Sequence, residues 1–547
     1  MTGGSTAAPP YDTRRDMYFT NTRSRRVLAL AAAVVSSALV LTGCAGSDSG
    51  SSDTVEQELI IGSQMASFPS LDTGAITTFG YEGQRLIGNL IYEGLTKRDV
   101  SDPNAPAGVA PALASSWEIA DNDLDYTFYL QEDATFHDGT EWNADALLYN
   151  LERYMNEDDP NYDSVLVTYY SVLNFIDTVE KVDDLTVIFH LKEPFAFFLA
   201  DLYNVYFASP ASLEEFGSEG QAKNPVGTGP FVFDALEENQ SISFVRNDDY
   251  WGDVAKLDRL TVELIPDAAA RTAALRSGRV DWIENAQPDD FASLEDAGFI
   301  TIGNAFDWEW SWQLMTEEAP MDDIRVRQAM NYAIDREAIA QDLLSGTASA
   351  AYQMFAPASL YYDEADDIYS YDPELALELL AEAGYEDGVD ITVGYITAGS
   401  GSMQAKSMNE ALQAQLSEVG INVTLEPVDF SGMYGQLGEG NTGWNAANQA
   451  FSLEQPSSWN GFWFGCDGNL FNYCNEEADA AYAQAIVTTD EEERAALLTE
   501  VGHLVTEDAA WLFVANDTAP RAMSTDVEGY EQPKSWWIEF TNVSMVG

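Results

Sequence analysis

Segments typical of helices and of strands alternate along this chain, and that alternation restricts its fold more than any other feature. Pro373 opens a helical segment with leucines on one face and Gly384 closes it, the usual positions of these residues at helix ends. A longer apolar period covers 403–419 and stops at Gly420, after which 421–425 alternates as a strand. This order of helix, glycine and strand predicts an α/β class.

Caps and runs of β-forming residues predict further elements. Asn143 and Asp323 each precede an apolar helical stripe and can act as N-caps, because a short side-chain oxygen there accepts a backbone N–H. At 547 residues the chain is long enough for two or three domains. Strands are predicted at 59–62, 126–130, 185–191, 308–312, 421–425 and 511–514.

The composition is strongly acidic, with 91 Asp and Glu against 25 Lys and Arg and a formal net charge of −66 at pH 7. Such a chain repels the phosphate backbone of nucleic acids and anionic lipid surfaces, so we exclude both as partners of the folded body. The acidic residues are spread along the whole chain, which favours solubility in a salty exterior over electrostatic steering of cationic solutes.

The N-terminal region has the order of an export signal. An arginine-rich patch at 23–26 precedes an apolar run at 27–41. The run has the length of a signal-peptide core and is short for a membrane span. Because residues 1–16 fit poorly before the patch, we take Met17 as the hypothetical start.

The apolar run ends in LTGC at 41–44, which matches the bacterial lipobox. Small residues suit the groove of a signal peptidase, and the thiol of Cys44 can carry a diacylglycerol. We therefore expect a lipoprotein-type signal over 1–43 and a chain anchored to the outer face of the cell membrane. The small, polar stretch at 44–54 is typical of a flexible tether.

Two further cysteines, Cys466 and Cys474, lie close together in the sequence. An export signal implies an oxidising compartment, so we expect them to form a disulfide. Two free thiols are the alternative. Neither cysteine has a partner at metal-site spacing.

Motifs for catalysis are absent from the sequence. The three histidines, His137, His190 and His503, show no metal-ligand spacing. There is no Gly-x-Ser-x-Gly elbow, and the glycines at 227–229 lead into a proline rather than a lysine-bearing phosphate loop. We expect no enzyme, no metal and no cofactor. A hidden glycosidase remains an alternative, because two carboxylates at the right distance leave no mark in a sequence.

Six segments, taken in order, resemble the bacterial extracellular solute-binding proteins of family 5, which bind peptides, nickel chelates and some oligosaccharides. Any one of these segments is weak, and together they cover nearly all of the exported chain. They are PALASSW at 111–117 with YTF, FHDG and AD at 126–145, PVGTGPF at 225–231, NDDYW at 247–251, ALRSGRVD at 274–281, DIRVRQA with AIDR at 323–336, and YDP through LAEAGY at 371–385.

The resemblance implies a large, two-lobed periplasmic-binding-protein-like clamshell of the cluster C type. It has hinge strands, an extra subdomain in lobe I and closure on a solute by hinge motion. Lobe I would take 55–309 plus 516–547, and lobe II would take 310–515. The implied partners are an ABC permease and ATPase, with the receptor itself a monomer. We expect Gly227 and Gly229 to permit both positive φ and close approach of the backbone.

The solute is less well defined. Peptide-binding members use an Asp four residues before a Pro to hold the α-amino group of the ligand, and here Ser452 stands at that position. A neutral hydroxyl cannot supply the ion pair, although Glu454 is close enough to substitute. The frequency of peptide-binding members in the family favours a peptide as the solute. An oligosaccharide or other uncharged polar solute is the alternative, and a sensory or adhesive lipoprotein also stays open.

Aromatic and amide side chains are dense around this position. Tryptophan faces stack on flat ligands, and amides supply hydrogen bonds. Packing in a core is the alternative for each of them. The candidate ligand-binding residues are Trp308, Trp310, Trp312, Trp444, Asn448, Phe451, Ser452, Glu454, Trp459 and Trp463.

Overall fold

The computed structural model describes residues 56–74, 81–162, 171–397, 403–440, 442–454, 456–459, 465–466 and 468–547. The predicted signal, the lipidation site Cys44, the tether and Trp463 lie outside these ranges. Within them, no helix is both long enough and apolar enough to cross a membrane.

The described ranges contain twenty-one strands, numbered in chain order. All six predicted strands are among them. The strands are β1 Glu58–Ser63, β2 Thr96–Asp99, β3 Gly108–Pro111, β4 Ala114–Ile119, β5 Asp125–Leu130, β6 Ile176–Asp183, β7 Thr186–Leu191, β8 Phe231–Glu237, β9 Ser241–Arg246, β10 Arg259–Leu264, β11 Trp282–Glu284, β12 Ile300–Ile302, β13 Trp308–Leu314, β14 Ala348–Ala350, β15 Val389–Ile396, β16 Ile421–Val428, β17 Ala446–Ser452, β18 Trp511–Asp517, β19 Arg521–Met523, β20 Val527–Glu528 and β21 Ser544–Met545.

Nine longer helices lie within the same ranges, and the predicted caps act as expected. The side chain of Asn143 accepts the N–H groups of residues 145 and 146, and that of Asp323 accepts the N–H of residue 325. The helices are α1 Ala144–Met155, α2 Pro210–Gln221, α3 Ala268–Arg276, α4 Ile324–Tyr332, α5 Pro373–Glu382, α6 Ala405–Glu418, α7 Phe430–Gly438, α8 Glu476–Val487 and α9 Glu491–Glu507. Shorter helical turns are Tyr81–Gly83, Gln84–Gly88, Asn89–Ile91, Ser171–Phe175, Phe198–Asp201, Leu202–Asn204, Pro288–Asp290, Phe291–Asp296, Arg336–Ala338, Ile339–Leu343, Glu364–Asp366 and Pro456–Ser458.

The first large sheet has seven strands in the order β12-β19-β11-β1-β10-β9-β8. β1 runs parallel to β10 and β11, while the outer strands pair antiparallel. The carboxyl ends of β1 and β11 therefore share one edge, where α/β sheets usually bind ligands. We call the part of the chain built on this sheet lobe I.

The second large sheet has six strands in the order β14-β18-β13-β17-β15-β16. β13 lies in its centre and pairs antiparallel with β17 and β18 along its length. We call the part built on this sheet lobe II. The four-stranded antiparallel sheet β4-β5-β7-β6 forms the additional subdomain. Apolar packing joins this subdomain to lobe II, and the N–H of Ala196 donates to the carbonyl of Ile486 at 2.8 Å.

The chain changes sheet between Ile302 and Trp308 and returns between Asp517 and Arg521. The predicted lobe boundaries at 309/310 and 515/516 stay a prediction. They fall inside β13 and β18, and β13 is paired with β17 from its first residue, Trp308. The two crossing segments are hydrogen-bonded, because the N–H of Asn304 donates to the carbonyl of Thr518 at 2.7 Å.

The glycines of the second signature show why that segment is so restricted. A Cβ on Gly227 would lie 2.0 Å from the carbonyl oxygen of Ile91, and one on Gly229 would lie 2.4 Å from that of Leu90. Both glycines are absent from the positive-φ residues. Close backbone approach, and not positive φ, is therefore their role.

Candidate functional site

The alternation in β13 divides its side chains between two faces. Trp308, Trp310 and Trp312 share one face and are at most 1% exposed. They pack in the apolar core of lobe II. The indole N–H of Trp312 donates to Oδ1 of Asn409 at 2.7 Å. Trp310 and Trp312 are therefore core residues, and only Trp308, at the crossing end of the strand, reaches a lobe I segment, where it stacks on Trp536 at 4.7 Å between ring centroids.

The opposite face of β13 is polar although it is buried. Glu309, Ser311 and Gln313 all have no solvent exposure, and cross-strand pairing puts Gln449 beside Ser311. Oε1 of Gln313 and Nε2 of Gln449 have no hydrogen-bond partner among the described residues. Burial raises the pKa of Glu309 well above its usual value. Sequence reasoning missed this face, although the same alternation that revealed the tryptophans could have indicated it.

The candidates on β17 also divide by face. Asn448 lies opposite Trp312, and its amide donates to the carbonyl of Ser311 and accepts from Asn409. It belongs to the internal network of lobe II. Phe451 lies on the polar face of the sheet opposite Glu309, where it contacts Trp511 edge-on at 5.0 Å.

Ser452 and Glu454 come together at the end of β17 that faces the crossing. The N–H of Glu454 donates to Oγ of Ser452 at 3.2 Å. The carboxylate of Glu454 accepts a hydrogen bond at 3.0 Å from the hydroxyl of Ser535, which lies on the C-terminal segment that follows the return to lobe I. Glu454 is thus held where the two lobes meet.

Asp307 supplies a second carboxyl group at this place. It lies on the crossing segment, and its backbone carbonyl accepts the N–H of Leu453 at 3.0 Å. Burial, with a smaller contribution from the nearby charge of Glu454, raises the pKa of Asp307 to about 7. Burial also raises the pKa of Glu454 to about 7, against the opposing effect of the Arg98 guanidinium. We call Asp307 and Glu454 the carboxyl pair.

Lobe II places aromatic side chains beside Asp307, which accepts the N–H of Ala356, the residue after Phe355, at 3.3 Å. Trp459 is fully buried and contacts Phe355 at 5.4 Å and Tyr361 at 5.9 Å between centroids. The indole N–H of Trp459 has no partner among the described residues. Trp444 is not part of this group. It precedes the opposite end of β17, a seven-residue strand that spans about 20 Å, and its indole donates to Glu426 at 2.8 Å.

Lobe I contributes a cation and two rings. Nη1 of Arg98 donates to the backbone carbonyl of Glu454 at 3.4 Å. The guanidinium lies over Tyr203 at 4.6 Å and near Trp537 at 6.0 Å from the ring centroid. The site therefore combines two carboxyl groups, one guanidinium and flat aromatic faces from both lobes. Such a set can bind an ammonium group through the carboxyls and apolar or planar groups through the rings.

No group of three or more side chains suited to a metal ion occurs among the described residues. Cys466 and Cys474, the predicted pair, form a disulfide in the structure. It closes a short loop that follows Trp459 in the sequence. No hydrogen bond among the described residues joins either cysteine to Asp307 or Glu454.

Comparison with known proteins agrees with this architecture. A family model described as bacterial extracellular solute-binding proteins, family 5 Middle, matches residues 108–471. Heme-binding protein A of Haemophilus influenzae is 31% identical and covers 96% of this chain and 99% of its own length. The dipeptide-binding protein of Escherichia coli is 28% identical over 80% of this chain and 86% of its own.

A solved structure shares the fold. The ABC transporter-associated periplasmic binding protein from Helicobacter pylori, in complex with the peptide STSA, superposes with a TM-score of 0.78 at 25% identity and covers 89% of this chain and 98% of its own. The fold is thus that of a two-lobed periplasmic binding protein, as predicted. The chain belongs to the bacterial extracellular solute-binding proteins of family 5, which confirms the resemblance carried by the six segments.

Proposed function

We propose that this protein is a lipid-anchored receptor that captures a peptide between its lobes and delivers it to an ABC importer. The observation that carries the proposal is the carboxyl pair. Asp307 and Glu454 lie together at the crossing, buried and next to aromatic faces, in the place where a free α-amino group would need a counter-ion. Glu454 takes the task that Ser452 cannot perform, two residues further along the chain.

The coupling of the two carboxyl groups makes them a cation site. The pKa of each is raised to about 7 because burial disfavours its charge, and the charge of Glu454 also contributes to the raised pKa of Asp307. An ammonium group between them would favour both charged forms and lower both pKa values. Binding of a free amino group at pH 7 is therefore accompanied by proton release, which an uncharged sugar would not cause.

The similar proteins named above are described as binding heme, a dipeptide and a peptide. The histidines give no support to heme, because each is engaged elsewhere. Nε2 of His137 contacts the carbonyl of Gly229 at 3.0 Å, and His190 and His503 bond Asp125 and Asp366, each at 2.6 Å. An oligosaccharide stays the second candidate, favoured by the ring faces of Phe355, Tyr361 and Trp459.

Calorimetry separates these solutes. Tri-alanine should bind, N-acetyl-tri-alanine should bind at least tenfold more weakly, and buffers of different ionisation enthalpy should reveal proton release for tri-alanine only. In Glu454→Gln the preference for the free amine should fall by roughly tenfold or more, the value of a charge-assisted hydrogen bond. Glu378→Gln, on the exposed face of α5, is the matched control. Heat with cello- or xylo-oligosaccharides and none with any peptide would refute the peptide and support the sugar.

The anchor is tested separately. Expression of the full chain with a clickable fatty acid should label the wild type at Cys44, and Cys44→Ser should lose the label and leave the membrane fraction. A label that persists in Cys44→Ser would contradict the proposed anchor without affecting the solute site. Uptake of the bound peptide by cells should require the cognate permease and ATPase.

A further inference from the structure

Lobe I contains a cavity whose charge is opposite to that of the chain. The cavity measures about 110 Å³ and is bounded by β2, the turn before it and the C-terminal segment at 537–541. Three basic and two acidic side chains line it, Arg85, Lys97 and Arg98 against Glu93 and Glu539. In the whole chain acidic residues outnumber basic ones by 91 to 25. This reversal is not expected of a surface crevice taken at random.

Arg85 is the most constrained of the basic residues. It is fully buried, and its Nη2 donates to the carboxylate of Glu284, with Glu82 at 4.0 Å. Its guanidinium lies 4.3 Å from the ring centroid of Trp536. Nε and Nη1 of Arg85 have no hydrogen-bond partner among the described residues. Buried N–H groups of a charged side chain are costly without an acceptor, so these two groups favour the binding of an acceptor at this place.

The two carboxylates of the lining do not fill that role. Glu93 accepts hydrogen bonds from the Tyr250 hydroxyl at 2.7 Å and the Trp251 indole at 2.9 Å. Burial raises the pKa of Glu93. Glu539 lies 3.5 Å from Lys97 at the exposed rim. Glu284 pairs with Nη2 of Arg85, and neither carboxylate of the lining bonds Nε or Nη1 at the deep end of the cavity.

We propose that this cavity is a binding subsite for a small anion of carboxylate or phosphate type, with Arg85 as its principal counter-ion. Its volume is smaller than the cavity of about 150 Å³ that holds a benzene molecule, and so it suits a group of a few atoms. Arg98 lines the cavity and also contacts Glu454. The anion is either the terminal carboxylate of the captured solute, which rests on the proposed function, or a free anion, which does not.

Calorimetric titration with acetate and with phosphate tests the subsite directly. Wild type should bind one of them saturably, and Arg85→Lys, which keeps the charge opposite Glu284 but removes the unpartnered donors, should bind it at least tenfold more weakly. Lys97→Met should weaken binding a fewfold. Lys406→Met, an exposed lysine on α6, should leave it unchanged. Thermal melting reports whether each variant is folded.

A second readout does not depend on the variants. In wild-type crystals soaked in selenate, an anomalous peak should lie within hydrogen-bond distance of Arg85. No saturable binding by wild type, equal binding by folded Arg85→Lys, or no peak at Arg85 would each overturn the subsite.

The source of the anion follows from competition. If the solute supplies it, tri-alanine displaces phosphate and tri-alanine amide does not. If the anion is free, phosphate and tri-alanine bind together. Failure of every peptide to bind, with phosphate binding intact, would refute the proposed function and leave the subsite standing.

Discussion

Replacing Asp307 by asparagine should remove a pH dependence of stability that the carboxyl pair creates. Burial raises the pKa of Asp307 from 3.8 to about 7. Between about pH 4 and pH 7 the unfolded chain has lost this proton while the folded chain keeps it, so stability falls as pH rises through this window. Three pKa units correspond to an upper value of about 4 kcal/mol. Above pH 7 the contribution is constant.

Urea unfolding at a series of pH values from 4.5 to 8 measures the effect. The asparagine of the Asp307→Asn variant cannot ionise, and its side-chain oxygen can still accept the N–H of Ala356, which bonds Asp307 at 3.3 Å. Asp307→Asn should therefore gain stability over wild type at pH 8, and the gain should disappear towards pH 4.5. The exposed control Asp387→Asn should follow wild type throughout. A difference between Asp307→Asn and wild type that stays constant from pH 4.5 to 8 would refute the raised pKa.

Two other substitutions test the packing that positions the site. Gly227→Ala should destabilise lobe I by several kcal/mol or prevent folding, because the added Cβ would lie 2.0 Å from a backbone oxygen; Gly435→Ala, in a helix with open space around it, should change the melting temperature little. Trp312→Phe should lower the free energy of unfolding by about 2–4 kcal/mol, because it removes the buried indole N–H that donates to Asn409 and also reduces the volume of the side chain. Trp310→Phe should cost less in the same urea experiment, since its indole N–H has no partner among the described residues.

The architecture could be predicted from the sequence because its signals are local. Caps such as Asn143, a terminal glycine such as Gly384 and the alternation in β13 depend on backbone hydrogen bonding and strand geometry, which short segments determine. The prediction of two lobes came from the six segments that resemble family 5. The lobe boundaries stay a prediction, since the residue at which the chain changes sheet depends on pairing with distant strands.

The site itself could be predicted only in part. The family pattern singled out Ser452 and Glu454, but no signal in the sequence indicated that Asp307, about 150 residues away, would join them. The alternation of β13 separates a tryptophan face from a polar face but does not say which of them packs in the core of lobe II, so Trp310 and Trp312 were included among the candidates for the cleft. Arg85 and Glu309 carry no motif, and only the tertiary structure reveals their buried charge.

A crystal structure of the protein with bound tri-alanine tests the central claim most directly. The account predicts the peptide between the lobes, with its ammonium nitrogen at hydrogen-bond distance, about 3 Å, from the carboxylate of Glu454. Asp307 should lie on the other side of the same nitrogen. A peptide whose amino group is bound elsewhere, or a cleft that holds an uncharged solute with Glu454 still bonded only to Ser535, would contradict the account.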